Sequence, residues 1–478
     1  MSSRQAFFNG PKMKIFSLQT EHKKILADTL TPVSAYLKLR DVFPHSLLLE
    51  SSDYHANNND FSYICCNPIA SIELKNGILS TIYPDQSNSK TIVDETIDIP
   101  EKIHEFSKQF DSKKYPFKFI SNGIFGYIAH DAVDQFENLT LDKTKPGHDI
   151  PDIYYAVYQN IIAISLFNHE AHLFSHVYQG KHNLERIELL LNTKNSTPFN
   201  FEKLGNKTSN LTDVEFLDFV KKGKEHCFRG DVFQLVLSRR FSQEFKGDEF
   251  NVYRTLRSIN PSPYLFFFDY GDFKIFGSSP EAQLIVQNGK AEIHPIAGTY
   301  KRTGEDIQDA KAAKKLAKDP KENSEHVMLV DLARNDLSRN GSSVIVEKNR
   351  EIQFYSHVIH LVSKVTCTIK KAAKTFRVVA DTFPAGTLSG APKHNALKLI
   401  DLYETTQRNV YGGAIGYMDF DGNFNHAIII RSFLSKNHQL HYQAGAGIVA
   451  DSIPESELQE VYNKLGALDK ALTLAENI

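Results

Sequence analysis

Residues 319–336 read DPKENSEHVMLVDLARND, and they announce the start of a helix. Asp319 can cap, Pro320 suits the first helical position, and Glu322 stands where a capping box needs its acid. Glu322 and Glu325 are three apart, so both carboxylates project from one face near the positive end of the helix dipole. The apolar run Val327, Met328, Leu329, Val330 and Leu332 follows and calls for burial. Acids beside such a run are commonly a solvated first turn, so a reason to turn them inward must come from elsewhere in the chain.

Working outward, a Lys/Ala-rich helix is expected from Asp306 to Lys318, and two strand-like stretches precede it. These are GDVFQLVLSRRF (230–241) and YLFFFDYGDFKIFGSS (264–279), the latter with a Gly271-Asp272 turn. Toward the C-terminus, YGGAIGYMDF (411–420), NHAIIIRSFL (425–434) and QLHYQAGAGIV (439–449) read as an antiparallel meander. Its turns fall at Asp421-Gly422 and Lys436-Asn437, and a last helix runs from near Pro454 to about Leu474. The first half is β-rich: SLLLES (46–51), FSYICC (61–66), ASIELKNGILSTIY (70–83) and IIAISLF (161–167), with Asn76-Gly77 as a strong hairpin signal. The polar stretch at 192–210 is the best boundary, and Thr212 with Glu215 forms a capping box just after it. The reading is α+β, with large antiparallel β-sheets, divided into a β-rich region 1–205 and a second region 206–478.

At 478 residues, 41% hydrophobic and 23% charged, the composition is that of a soluble globular protein. Lys+Arg 55 against Asp+Glu 57 offers no electrostatic case for nucleic acid or an anionic membrane. No window approaches the ~20 apolar residues of a membrane helix, and the opening MSSRQAFFNGPKMKIF lacks a secretory pattern. Cys65, Cys66, Cys227 and Cys367 form no metal-ligand spacing. A cytoplasmic enzyme is the expectation.

The last helix repeats the opening pattern, with Glu457 and Glu460 three apart in its first turn. Two such pairs suit a hard divalent cation such as magnesium, or they simply satisfy two helix dipoles. Strand alternation through AIIIRSFL places Ala427, Ile429, Arg431 and Phe433 on one face. A buried guanidinium there needs a ligand carboxylate or a structural salt bridge. In AGAG (444–447) the absent side chains let a ligand approach, or ease sheet packing. His360, in an apolar stretch, is either a general acid or a hydrogen-bonded core residue. FPAGTLSGAPK (383–393) and PIAGT (295–299) read as tight turns. From the residues alone, the argument reaches a magnesium-dependent enzyme acting on a small carboxylate.

Taken together, PIAGT, ENSEHVMLVDLARNDL, HVIHLVS, FPAGTLSGAPK, YGGAIGY, IIIRS and QAGAGIVADSIPESE resemble, in order, the chorismate-utilising enzyme family. The resemblance implies a large sandwich of sheets surrounded by helices, with chorismate and magnesium in a cleft. It implies Glu325 and Glu460 as Mg2+ ligands, supported by Glu322 and Glu457. Arg431 and Tyr411 would bind the enolpyruvyl carboxylate, and Gly445, Gly447, Thr387 and Thr299 would line the pocket. His360 would be the general acid. Water-adding relatives usually carry Lys where Gln234 stands, and the 4-aminating branch, which serves folate synthesis, typically carries Lys where Ala297 stands. Gln234 and Ala297 therefore point to the branch that turns chorismate and ammonia into anthranilate and pyruvate, for tryptophan biosynthesis. Tyr300-Lys301 departs from the family's common Arg-Pro. Cys227 lacks the Gly-x-Cys-x-Gly setting of a glutaminase nucleophile, so a glutamine amidotransferase partner is implied. SLLLES with NPSPYLFFF resembles an L-tryptophan feedback site, implicating Glu50, Ser51, Pro263 and Tyr264. A catalytically silent tryptophan-binding subunit is the alternative of a different class.

Overall fold

The structure is a computed structural model, and it describes residues 13–51, 61–193, 199–354 and 358–478. Its spine is the long antiparallel pair Ser62–Lys75 and Ile153–Ser165. Asn76 and Gly77 close the hairpin to Ile78–Ile82 with φ of 51° and 72°, the double left-handed turn that strand twist favours. The register of the long pair slips between Pro68 and Ala70, where the proline has no N–H to donate to a ladder.

On one side of that slip the pair continues a first sheet. It runs through Leu47–Glu50, Tyr264–Asp269, Phe273–Ser279, Ser432–Lys436, Gln439–Ile448 and Gln234–Gly247 to Phe201–Ser209. On the other side it continues a second sheet, through Ile124–Ile128, Ala414–Met418, Phe424–Ile428, Ala282–Gln287 and Lys290–Ile293 to Val358–Ile369. Ile296–Lys301 and Gly341–Phe354 both pair with that last strand. These pairings are all antiparallel.

The two sheets pack face to face. Phe125 and Tyr127 of the second sheet share a cluster with Phe266, Phe268 and Ile275 of the first. The Tyr127 ring lies 5.4 Å from that of Tyr270, and Tyr154 lies 4.9 Å from it. The alternate residues Leu265 and Phe267 point the other way, toward Tyr36, Phe250 and the helices that cover the outer face. Each fully buried aromatic of this kind contributes about 2–3 kcal/mol. A sandwich of large antiparallel sheets, flanked by helices, is the architecture expected from the sequence.

Strands from before and after residue 205 share both sheets, as Leu47–Glu50 with Tyr264–Asp269 and Ile124–Ile128 with Ala414–Met418 show. The polar stretch at the expected boundary contains the strand Phe201–Ser209, whose mostly exposed side chains explain its polar composition. NHAIIIRSFL is not one strand of a meander. Phe424–Ile428 belongs to the second sheet and Ser432–Lys436 to the first, and the chain crosses between them at Arg431, with φ of 50°. The crossing resets the alternation: Ala427 and Ile429 face the layer between the sheets, whereas Phe433 faces the outer core. PIAGT likewise is no simple turn, since Ile296–Lys301 is a strand bulged at Gly298. Among the described residues, no helix is long and apolar enough to cross a membrane.

Candidate active site

The helix Pro320–Ser338 starts as its sequence announces, the Glu322 amide donating to Asp319 Oδ1 at 3.3 Å. His326, Val330, Ala333 and Leu337 form a buried helical stripe, with Leu329 and Asp336 buried beside it, and the stripe extends one turn back to Glu322. Glu325 heads the neighbouring row through Leu329. Val327, expected inside, lies off this stripe and is 48% exposed. The acids therefore face the sheets because the helix's own apolar periodicity turns them there. His326 is anchored by Ser363, with Nε2 2.6 Å from the hydroxyl oxygen.

Three strands meet that helix end. Glu322 Oε2 lies 3.0 Å from where a side chain on Gly298 would begin, so a larger residue would crowd the acid, and the φ of 64° favours glycine there. The Gly298 carbonyl accepts from His360 Nδ1 at 3.0 Å. A carbonyl only accepts, so this nitrogen carries the proton and Nε2 carries none in the neutral ring. Burial, against the Gly298 bond and with Arg431 adding to it, pushes His360 down to about 4. His360 is thus neutral at pH 7. Glu325 Oε1 accepts from Gln234 Nε2 at 3.4 Å, and Gln234 is buried.

Gln234 also fills the space over Gly447, its Nε2 2.5 Å from the position of a Cβ there. Over Gly445 the Tyr411 hydroxyl stands 3.2 Å from the equivalent position. The space over Gly447 is thus taken by Gln234, whereas over Gly445 the Leu237 carbonyl, at 2.8 Å, and Ser238 stand closer than Tyr411. Burial raises the Tyr411 phenol further above its ordinary value, and Glu460 contributes to that rise. Glu460 pairs with Lys464 at 2.6 Å, and Lys464 donates to the Gly445 carbonyl at 2.8 Å. A continuous path leads from Glu325 through Gln234, the glycine strand and Lys464 to Glu460, joining the two acid-bearing helices.

Glu281 and Lys464 escaped the sequence reading. The carboxyl of Glu281 still reaches solvent in part, yet the protein packed around it pushes it up to about 8. The Thr387 hydroxyl, which donates to it at 3.3 Å, and the nearby Arg431 and Lys464 only partly oppose that rise. Burial in turn lowers Arg431, with Glu281 opposing. Lys464 had a local signal, since it follows Glu457 and Glu460 at helical spacing of seven and four. Glu281 had none.

The family of chorismate binding enzymes matches residues 46–470. This chain belongs to it. It is 38% identical over 480 residues to anthranilate synthase component 1 of Aquifex aeolicus (strain VF5), across 95% of this chain and 94% of that protein. It is 36% identical over 466 residues to the Lactococcus lactis subsp. lactis (strain IL1403) anthranilate synthase component 1, across 94% and 98%. A solved structure of anthranilate synthase component I from Streptococcus pneumoniae TIGR4 superposes with a TM-score of 0.73 at 31% identity, covering 93% of this chain and 99% of that one. The menaquinone-specific isochorismate synthase of Escherichia coli shares the fold, with a TM-score of 0.74 at 17% identity. The chain is a chorismate-utilising enzyme.

Family membership puts the other expected residues in context. Ala297 is buried opposite Leu361, and Thr299 pairs through its backbone with His360, its side chain lying outside the described residues. Among the described residues no three His, Cys, Asp or Glu side chains are gathered around one point as for a metal ion. The donors nevertheless suit a hard cation in kind: Glu322 and Glu457 are carboxylates in the first turns of two helices, Glu325 and Glu460 follow one turn later, and the ammonium of Lys464 already answers Glu460. At the far end of Leu47–Glu50, buried Glu50 accepts from Tyr253 Oη at 2.6 Å and Arg257 Nε at 2.8 Å. Its register with Leu265 brings Glu50 and Ser51 beside Tyr264 and Pro263.

Proposed function

We propose that this chain is the synthase subunit of an anthranilate synthase, an oxo-acid-lyase that converts chorismate and ammonia to anthranilate and pyruvate in tryptophan biosynthesis. The observation that carries the reading is Gln234, the buried amide between Glu325 and Gly447. An amide cannot take a proton from water, whereas ammonia arrives as a competent nucleophile and needs no base. The relatives named as anthranilate synthase component 1 support the same reading.

Arg431 and Tyr411 bind the enolpyruvyl carboxylate, with Thr387, Gly445 and Gly447 around the ring. Glu325 and Glu460, supported by Glu322 and Glu457, would hold Mg2+, which when bound supplies positive charge against the ring carboxylate. Glu281, protonated at neutral pH, gives its proton to the departing ring hydroxyl as the C–N bond forms, and water leaves. The proton released by the added ammonium group returns to Glu281. The family resemblance implied His360 as the acid; its proton-free Nε2 suits the opposite task. It removes the ring proton as the enolpyruvyl C–O bond breaks, so that the ring becomes aromatic and the released enol becomes pyruvate.

Cys227 is partly buried, its thiol bonded to the Ile448 carbonyl at 3.5 Å and raised by burial, which is unsuited to a glutaminase nucleophile. Ammonia therefore comes from a glutamine amidotransferase partner. The division at residue 205 is one of role: the earlier region, through Glu50 and Ser51 beside Pro263 and Tyr264, would bind L-tryptophan as feedback inhibitor of a cytoplasmic enzyme. Incubating the chain with chorismate, Mg2+ and an ammonium salt is expected to yield fluorescent anthranilate and equimolar pyruvate. Isochorismate or 4-amino-4-deoxychorismate as the product overturns the proposal.

A further inference from the structure

We propose that the buried ion pair Arg408–Glu404 is a positioning device that sets three walls of the substrate pocket against one another. The two side chains are 1% and 5% exposed, and they meet in a bidentate fork, Nη2 to Oε1 at 2.6 Å and Nε to Oε2 at 2.8 Å. The rest of the guanidinium is spent on backbone. Nη1 donates to the Leu388 carbonyl at 2.7 Å, beside Thr387, and Nη2 donates to the Val236 carbonyl at 2.8 Å, two residues from Gln234. Its carbon lies 5.6 Å from the centre of the Tyr411 ring, and the Tyr411 amide donates to the Arg408 carbonyl at 3.1 Å. Glu404 Oε1 accepts further from the Ser238 amide at 2.9 Å and from its hydroxyl at 2.7 Å. That hydroxyl in turn accepts from Gln443 at 2.7 Å.

One guanidinium thus ties the Thr387 turn, the Gln234 strand and the Tyr411 turn, which come from three separate stretches of sequence. Stability is a poor explanation for such a pair, because well-packed apolar residues commonly replace buried ion pairs without loss. Directionality is a better one. A rigid fork with fixed donors sets the distances between walls that a hydrophobic contact leaves soft.

The inference rests on the proposed function, through the substrate-facing roles of Thr387 and Tyr411. The test compares wild type with R408K, E404Q and R408M/E404Q, measuring KM for chorismate, kcat at saturating ammonium and Tm. R408K keeps the charge and loses the fork, so KM is expected to rise about tenfold while kcat stays within about threefold. E404Q strands a buried cation and lowers Tm; the double variant removes that cation, so Tm recovers while KM stays raised about tenfold. A KM within about twofold of wild type in R408K, or its recovery along with Tm in the double variant, overturns the positioning role and leaves a structural one. If R408K does not fold, the double variant decides alone. A wild-type chain that consumes no chorismate overturns the functional reading, and the positioning role with it.

Discussion

Replacing Glu281 by Gln separates proton donation from packing, because the amide is nearly isosteric and stays neutral. Glu281 moves from an ordinary value of 4.5 to about 8 in the folded chain. Between those values the native state holds a proton that the unfolded chain has released, so stability falls as pH rises through that window. Allowing for the solvent that still reaches the carboxyl, the wild type is expected to lose on the order of 3 kcal/mol between pH 4.5 and 9 from this group. The Gln variant has no such loss. Urea unfolding at pH 4 and pH 9 reads it directly: the two proteins nearly match at pH 4, where the carboxyl is largely protonated in both folded and unfolded chains, and the variant is the more stable at pH 9. In the same preparations, anthranilate formation at pH 7 is expected to fall about 10²–10⁴-fold. Parallel pH profiles of stability would show that Glu281 is ionised like any other carboxylate. Activity within about tenfold of wild type would remove it as the acid.

Four further outcomes are expected. His360→Ala is expected to accumulate an aminated, still non-aromatic intermediate, visible by chromatography, with little fluorescent product; full conversion to anthranilate would exclude His360 as the base. Because burial holds His360 near 4, the acidic limb of the wild-type pH–rate profile is expected below pH 6 rather than near the ordinary value of 6.5. Glu325→Gln and Glu460→Gln are each expected to abolish Mg2+-dependent turnover and to weaken Mg2+ binding by calorimetry while circular dichroism stays unchanged, and unaltered binding in both would sink the metal assignment. Ser51→Phe is expected to raise the tryptophan concentration for half-inhibition by more than about tenfold with kcat unchanged, whereas normal inhibition would move the regulatory site elsewhere.

Much of the fold was legible because its signals are local. Asn76-Gly77, the Thr212–Glu215 capping box and Asp319-Pro320 act within four residues of themselves, and each appears where the residues demanded it. The spacing of Glu322 with Glu325, and of Glu457 with Glu460, likewise set one helix face whatever surrounded it. Arg431 was different. Alternation describes a single strand, and nothing in AIIIRSFL marks the point where the chain leaves one sheet and enters the other. The strand Phe201–Ser209 was hidden for a related reason, since exposed side chains read as a linker while the backbone pairs.

The sequence by itself determined the helix starts, the turns, the kinds of side chain available for catalysis and their family setting. Only the tertiary structure decided which of them meet and in what state of charge. Glu281, Thr387 and Arg431 are brought together across wide gaps in the chain, and burial, which no local pattern encodes, leaves a carboxyl protonated and a histidine neutral at the same pH. That exchange of ordinary roles is a property of the packed sheets, because it arises from the solvent they exclude.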